Sequence, residues 1–188
     1  MRVGVRIKFN SPVILTFVAL CFGVMLLSIL TGGYLNDLLF VTYHSSLRDP
    51  MTYVRFFTHI LGHAGWTHLI GNMMYILLLG PLLEERYGGK KIVMVILLTA
   101  LATGLANYLL FPGVALCGAS GVCFAFILMA SFTGFRNGQI PVTFILVAVL
   151  YLGQEIYNGI FVSDNISNTA HRIGGLVGSV IGYKFGKK

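Results

Sequence analysis

Few side chains in this 188-residue chain can do chemistry, and they stand out against an apolar background. Ser120 lies in Cys117-Gly118-Ala119-Ser120-Gly121, after a loop around Pro112 and at the predicted start of a helix. A helix amino terminus leaves backbone N–H groups free to hold a developing oxyanion. Gly118 and Gly121 let a substrate backbone or a neighbouring helix approach closely. Taken alone, the motif reads first as a capping serine with packing glycines.

His171 changes the balance. Gly174, Gly178 and Gly182 follow it at a spacing of four, a stripe of small residues that lets another helix come near. His171 precedes Gly174 by three, so its imidazole leaves from about the same face. If the helix of Ser120 packs there through Gly121 and Ala125, serine and imidazole meet at one depth and form the minimal activated nucleophile. The alternative is a histidine that caps a helix in a polar loop. His68 and Asn72, four apart, share a helix face and make a natural pair for binding an oxyanion. His63, His68 and His171 could be metal ligands, but no His-Glu-x-x-His pattern or adjacent carboxylate accompanies them, which disfavours a metal. Cys21 reads as a buried spectator, whereas Cys117 and Cys123 flank a Gly-rich turn that a disulfide could close. Glu155 is either a relay group or bonded to a neighbouring helix.

The elements that position these groups follow from composition. The chain is 56% hydrophobic and 10% charged, where a soluble domain carries about 25% charged residues. An ordinary globular protein and a disordered chain are excluded. The basic surplus of +7 is scattered between apolar runs and forms no nucleic-acid patch. An all-α membrane protein is expected: one domain over residues 1–188 with six spans at 12–31, 68–83, 92–111, 120–135, 140–161 and 169–185. The second and fourth spans, short and rich in polar or small residues, should be enclosed by the others. The basic start before Val13 mimics a signal peptide, but the apolar run is long and no A-x-A-like site follows it, so an uncleaved first span is expected.

Six spans place both termini and the loops at 84–91 and 136–139 on one side of the membrane. That side carries ten of the 13 basic residues, and the other carries only Arg48, Arg55 and Arg172. The positive-inside rule then makes both termini cytoplasmic. The connection from Gly32 to Thr67 is too amphipathic for a solvated loop and too polar to span, so it reads as a partly helical segment lying in the interface with its aromatic residues at headgroup level. Glu84, Glu85 and Arg86 close the second span as a structural ion pair or cap.

His63-x4-His68-x3-Asn72, Gly118-x-Ser120-Gly121 and Ala170-His171-x2-Gly174-x3-Gly178, in this order on such a background, resemble the rhomboid intramembrane serine proteases. The resemblance implies a six-helix rhomboid-like bundle with Ser120 as nucleophile and His171 as general base, without a carboxylate. It further implies an oxyanion hole from Asn72, His68 and the Ser120 N–H, and a structural role for Arg55 and Glu84. The partners it implies are membrane-protein substrates within the lipid bilayer, with no nucleic acid, no metal and no cofactor. Two positions depart from the family pattern. Phe124 stands where a tyrosine often supports the histidine ring, and Val54 where an aromatic often precedes the loop arginine. An inactive rhomboid-fold binder of transmembrane helices is the runner-up. A small transporter is a third reading, disfavoured by the lack of repeat symmetry. Substrate entry should require the fifth span, or a flexible polar loop at 162–169, to move. The short ends of the chain suggest a minimal bacterial form in the inner membrane.

Overall fold

The computed structural model of the chain describes residues 10–132 and 165–186 and, between them, positions 142, 145, 146, 149 and 150. It is helical throughout: α1 (Pro12–Leu30), α2 (Tyr34–Leu39), α3 (Pro50–Thr58), α4 (Trp66–Tyr87), α5 (Gly89–Leu110), α6 (Ser120–Ser131) and α7 (Asn165–Gly186). Among the described residues there is no strand, only an isolated antiparallel bridge between Thr42 and Leu116. Among the described residues three helices, α1, α4 and α5, are long and apolar enough to cross a membrane. At 1.5 Å per residue the 22 residues of α4 rise about 33 Å, enough for a hydrocarbon layer of about 30 Å. The expected fifth span is described only at positions 142, 145, 146, 149 and 150, which are helical, while Glu155 and the loop at 136–139 lie outside the described residues.

Each long helix divides into a buried stripe and an outward apolar face. In α1, Ile14, Phe17, Cys21, Val24 and Met25 turn inward at helical spacing, while Leu20, Leu26, Leu27 and Leu30 remain exposed. Exposed leucine in such numbers suits a helix facing lipid. The start of α1 has no side-chain cap of its own. The Glu84 carboxylate supplies one, accepting the N–H groups of Val13 at 3.1 Å and Ile14 at 3.0 Å. Glu84 is buried, and its role as a structural cap joins the end of α4 to the start of α1. Nearby, a Cβ on Gly80 would lie 2.6 Å from Ile14 Cδ1, which shows how closely α1 crosses α4.

Two expectations about the helices need correction. The second span is neither short nor enclosed: α4 extends to Trp66 and Tyr87, and Met74, Leu78 and Leu82 point outward. Its polar ends, Thr67-His68 and Glu84-Glu85-Arg86, hide two turns of helix from a reading based on hydropathy. The segment at 162–169 is not a loop throughout, because α7 begins at Asn165. No glycine or proline interrupts residues 165–173, so a polar stretch continues the helix outward. By contrast α6 is the enclosed helix, buried on nearly every side from Gly121 to Met129.

The connection between α1 and α4 carries α2 and α3, as expected for a partly helical segment. Arg55 is its hub: Nε donates to Leu38 O at 2.9 Å, Nη1 to Ser45 Oγ at 3.4 Å, and Nη2 lies 3.5 Å from Asp49 Oδ2. The guanidinium also stacks 4.6 Å from the Tyr43 ring centroid, so Val54 leaves the arginine well held. Thr42 and Leu116 exchange backbone hydrogen bonds of 2.9 and 2.8 Å, joining this segment to the α5–α6 loop. His59, fully buried after α3, forms a 3.0 Å hydrogen bond through Nε2 with Ala100 O, and its own carbonyl accepts the Gly118 N–H at 2.9 Å. Gly104 makes room for this contact, since a Cβ there would lie 2.9 Å from Phe56 O.

Burial lowers the His59 imidazole from its ordinary 6.5 to about 4, against the raising effect of the Ala100 hydrogen bond. A depressed histidine stabilises the fold fully above the unfolded value and loses that contribution as pH falls toward the folded one. The thermal unfolding midpoint in detergent should therefore decline as pH drops from 6.5 to 4, with roughly 3 kcal/mol at stake for this histidine. A His59→Gln variant should be less stable at neutral pH and show a shallower decline; an unchanged slope in that variant contradicts the assignment.

Candidate active site

Ser120 is the first residue of α6, and the capping position belongs to Ala119, whose main chain accepts the Cys123 N–H at 3.0 Å. No side-chain cap bond forms there, so Ser120 is not the capping serine that its motif also allowed. Ser120 lines a cavity of about 480 Å³ together with Cys123 and Phe124 of α6, His68, Asn72 and Tyr75 of α4, and His171 of α7. All four groups with candidate chemistry thus reach one space. His171 stands two turns into α7, not at the helix start, because α7 extends outward to Asn165.

The approach of α7 to α6 is what brings His171 there. A Cβ on Gly174 would overlap the Gly121 backbone, one on Gly178 the Ala125 backbone, and one on Gly182 would lie 2.9 Å from the Phe132 ring. The contacts advance by about four residues on both helices, so α6 and α7 run parallel with the glycine stripe as their seam. Gly121 and Ala125 are the partners expected from the sequence. The stripe places His171 over Phe124, with ring centroids 4.2 Å apart and an interplanar angle of 33°. Phe124 therefore keeps the ring contact that the departure from tyrosine left in question.

Gly118 fixes the other wall. Its φ of +123° is open to glycine, and a Cβ would lie 2.6 Å from His68 Cε1 and 3.6 Å from Asn72 Nδ2. The turn before Ser120 thus rests directly on the pair expected to bind an oxyanion. Asn72 is buried and its Nδ2 has no hydrogen-bond partner among the described residues. Its Oδ1 lies 3.7 Å from Cys123 Sγ, an arrangement that leaves the NH2 end available. Cys123, Cys117 and Cys21 are all free thiols, so the 117–123 disulfide is not formed. Instead the Cys123 thiol donates to Asn72 O at 3.4 Å.

His63 packs edge-on against His68 with centroids 5.1 Å apart. Its Nδ1 is 3.1 Å from Leu61 O, which favours the Nδ1–H tautomer. Burial and then the neighbouring His68 hold its imidazole down to about 4, so it is neutral near pH 7. The described residues contain no group of three histidine, cysteine or acidic side chains set to hold a metal.

Sequence reasoning missed several lining residues: Thr67, Gly71 and Tyr75 on α4, and Cys123 and Ile127 on α6. Helical period could have found them. Tyr75 follows Asn72 by three, Gly71 follows Thr67 by four, and Cys123 and Ile127 follow Ser120 by three and seven.

The rhomboid domain family matches residues 50–188. Rhomboid-related protein 2 of Mus musculus is 33% identical over 158 residues, covering 73% of this chain and 52% of its own length. Rhomboid protease GlpG of Yersinia pestis is 27% identical over 178 residues, covering 92% of this chain and 62% of its own. The chain spans about half the length of the curated relatives it matches.

Since the Gly178 position faces the Ala125 backbone, Gly178→Leu must part α6 from α7. It should lower the unfolding midpoint by the equivalent of about 1–3 kcal/mol, with Gly178→Ala intermediate. An outward leucine substitution at Val180, exposed on the same helix, should be nearly neutral; equal losses at both sites would contradict the seam.

Proposed function

The chain belongs to the rhomboid family, and from that premise we propose that it is an intramembrane serine endopeptidase that cleaves transmembrane segments of other membrane proteins. It is an integral membrane protein by family and by its long apolar helices. The observation that carries the reading is the meeting of Ser120, His171, His68 and Asn72 on one cavity.

In the proposed reaction Ser120 Oγ attacks the scissile carbonyl carbon while neutral His171 takes the hydroxyl proton. The carbonyl oxygen becomes an oxyanion, which Asn72 Nδ2, a His68 ring N–H and the Ser120 backbone N–H are positioned to receive. Collapse breaks the C–N bond, and His171 returns the proton to the departing amine. Water then attacks the acyl ester with His171 again as base, releasing the carboxylate product and restoring Ser120. Phe124 limits how far the imidazole can tilt during these transfers. His63, kept neutral, adds no charge beside His68 to oppose the oxyanion's partner.

The architecture proposed with this activity is one domain of six spans with both termini cytoplasmic. The parallel run of α6 and α7 is the relation that six spans require of the fourth and sixth. The active-site end of the bundle holds the starts of α4 and α6, and in this proposal it faces the non-cytoplasmic side, a reading supported by the scarcity of basic residues there. The inner-membrane location belongs to the same proposal.

Purified protein in proteoliposomes, incubated with a single-span substrate carrying helix-breaking residues near its non-cytoplasmic end, should release two fragments. Ser120→Ala and His171→Ala should each reduce cleavage by at least about a thousandfold while keeping the wild-type unfolding midpoint. Because His171 must accept a proton, the wild-type rate should also fall on acidification. Cleavage surviving in both variants would assign the chemistry elsewhere, and a folded wild type inert toward a panel of such substrates would favour a helix-binding protein without activity.

A further inference from the structure

At the end of the bundle opposite the cavity, a groove of about 340 Å³ lies between α1 and α5. Pro12, Thr16 and Leu20 form one wall, Val93 and Leu97 the other, and buried Ile96 the floor. The groove is almost wholly apolar and follows α1 over the nine residues from Pro12 to Leu20, about 12 Å at helical rise. One leaflet's hydrocarbon is about 15 Å deep, half of the bilayer's. The groove therefore has the length of an acyl chain within one leaflet and is far too short for a spanning helix.

The head of the groove is basic. Lys90 is exposed and precedes Val93 by three and Leu97 by seven, so it stands on the groove's own face of α5. Lys91 follows it, with its amino group 4.3 Å from the Phe185 ring centroid, and Arg86 is exposed at the end of α4. The first turn of α5 contains no acidic residue. Of the two nearby carboxylates, Glu84 is buried against the N–H groups of Val13 and Ile14, which leaves Glu85 as the exposed acid beside three basic residues. The two helix starts are adjacent at this level, since a Cβ on Gly89 would lie 3.0 Å from Val13 Cγ2.

We infer that this groove is a binding site for an anionic glycerophospholipid, with an acyl chain between α1 and α5 and the phosphate headgroup beside Lys90 and Lys91. Apolar length selects a lipid, and the charge at its head selects an anionic one. The site is remote from Ser120 and is independent of the proposed proteolysis.

Delipidated protein in detergent, titrated with dioleoyl phosphatidylglycerol or dioleoyl phosphatidylcholine and followed by native mass spectrometry, tests the inference. The phosphatidylglycerol adduct should survive collisional activation that strips phosphatidylcholine. Lys90→Glu should weaken it by about fivefold or more, from the contribution of one basic residue near a phosphate. Val93→Trp, which fills the groove without altering charge, should weaken both lipids. Lys184→Glu makes the same charge change on α7 and should leave the adduct near its wild-type level. Equal retention of the two lipids by the wild type would overturn the site, as would equal loss in Lys90→Glu and Lys184→Glu, which would mean only a diffuse attraction.

Discussion

The backbone contact of α7 with α6 is the constraint on which the rest depends. Gly174 and Gly178 present no side chain where Gly121 and Ala125 approach, so the two helices meet main chain to main chain. Inside a bilayer there is little hydrophobic drive to hold helices together, and close packing must take its place. The consequence is local and chemical. His171 lies one turn before Gly174, and Phe124 lies one turn after Ser120, so the seam that packs Gly121 on Gly174 also stacks the imidazole on the phenyl ring. The glycine stripe thus sets the depth and direction of the proposed base, while α6 sets those of the nucleophile.

The second half of the site is held from the segment between α1 and α4. Arg55 ties α2 to α3, His59 ties the end of α3 to α5, and the His59 carbonyl receives the Gly118 N–H. Gly118 then lies against His68 and Asn72. A chain of hydrogen bonds therefore leads from the segment that carries α2 and α3 to the turn before Ser120. None of its donors or acceptors does chemistry in the proposed reaction. Each removes a polar group from an apolar surrounding where an unpaired one would be expensive, and together they fix the loop that aims the serine.

The sequence made the site more legible than the elements around it. Ser120, His171, His68 and Asn72 are polar groups in apolar runs, and the fourfold spacing of Gly174, Gly178 and Gly182 pointed to the helix that must pack there. Element ends were harder, because hydropathy registers the lipid-facing middle of a helix and not its polar ends. Hence α4 gained two turns and α7 began before His171. The Glu84 cap on Val13 and Ile14 joins residues 70 and 71 positions apart, and the His59 contact with Ala100 joins residues 41 apart. Spacing within one helix carries no trace of either. The free thiol of Cys123 likewise depended on where Asn72 lay.

Labelling by a fluorophosphonate probe asks whether the α6–α7 seam produces an activated serine without requiring a suitable substrate. The wild-type protein should be modified at Ser120, as located by peptide mass spectrometry. Modification should be lost in His171→Ala and strongly slowed in Gly174→Val, which forces the seam apart. Labelling of Ser120 that persists undiminished in His171→Ala, or none in a folded wild type, would contradict the proposed activation of Ser120 by His171.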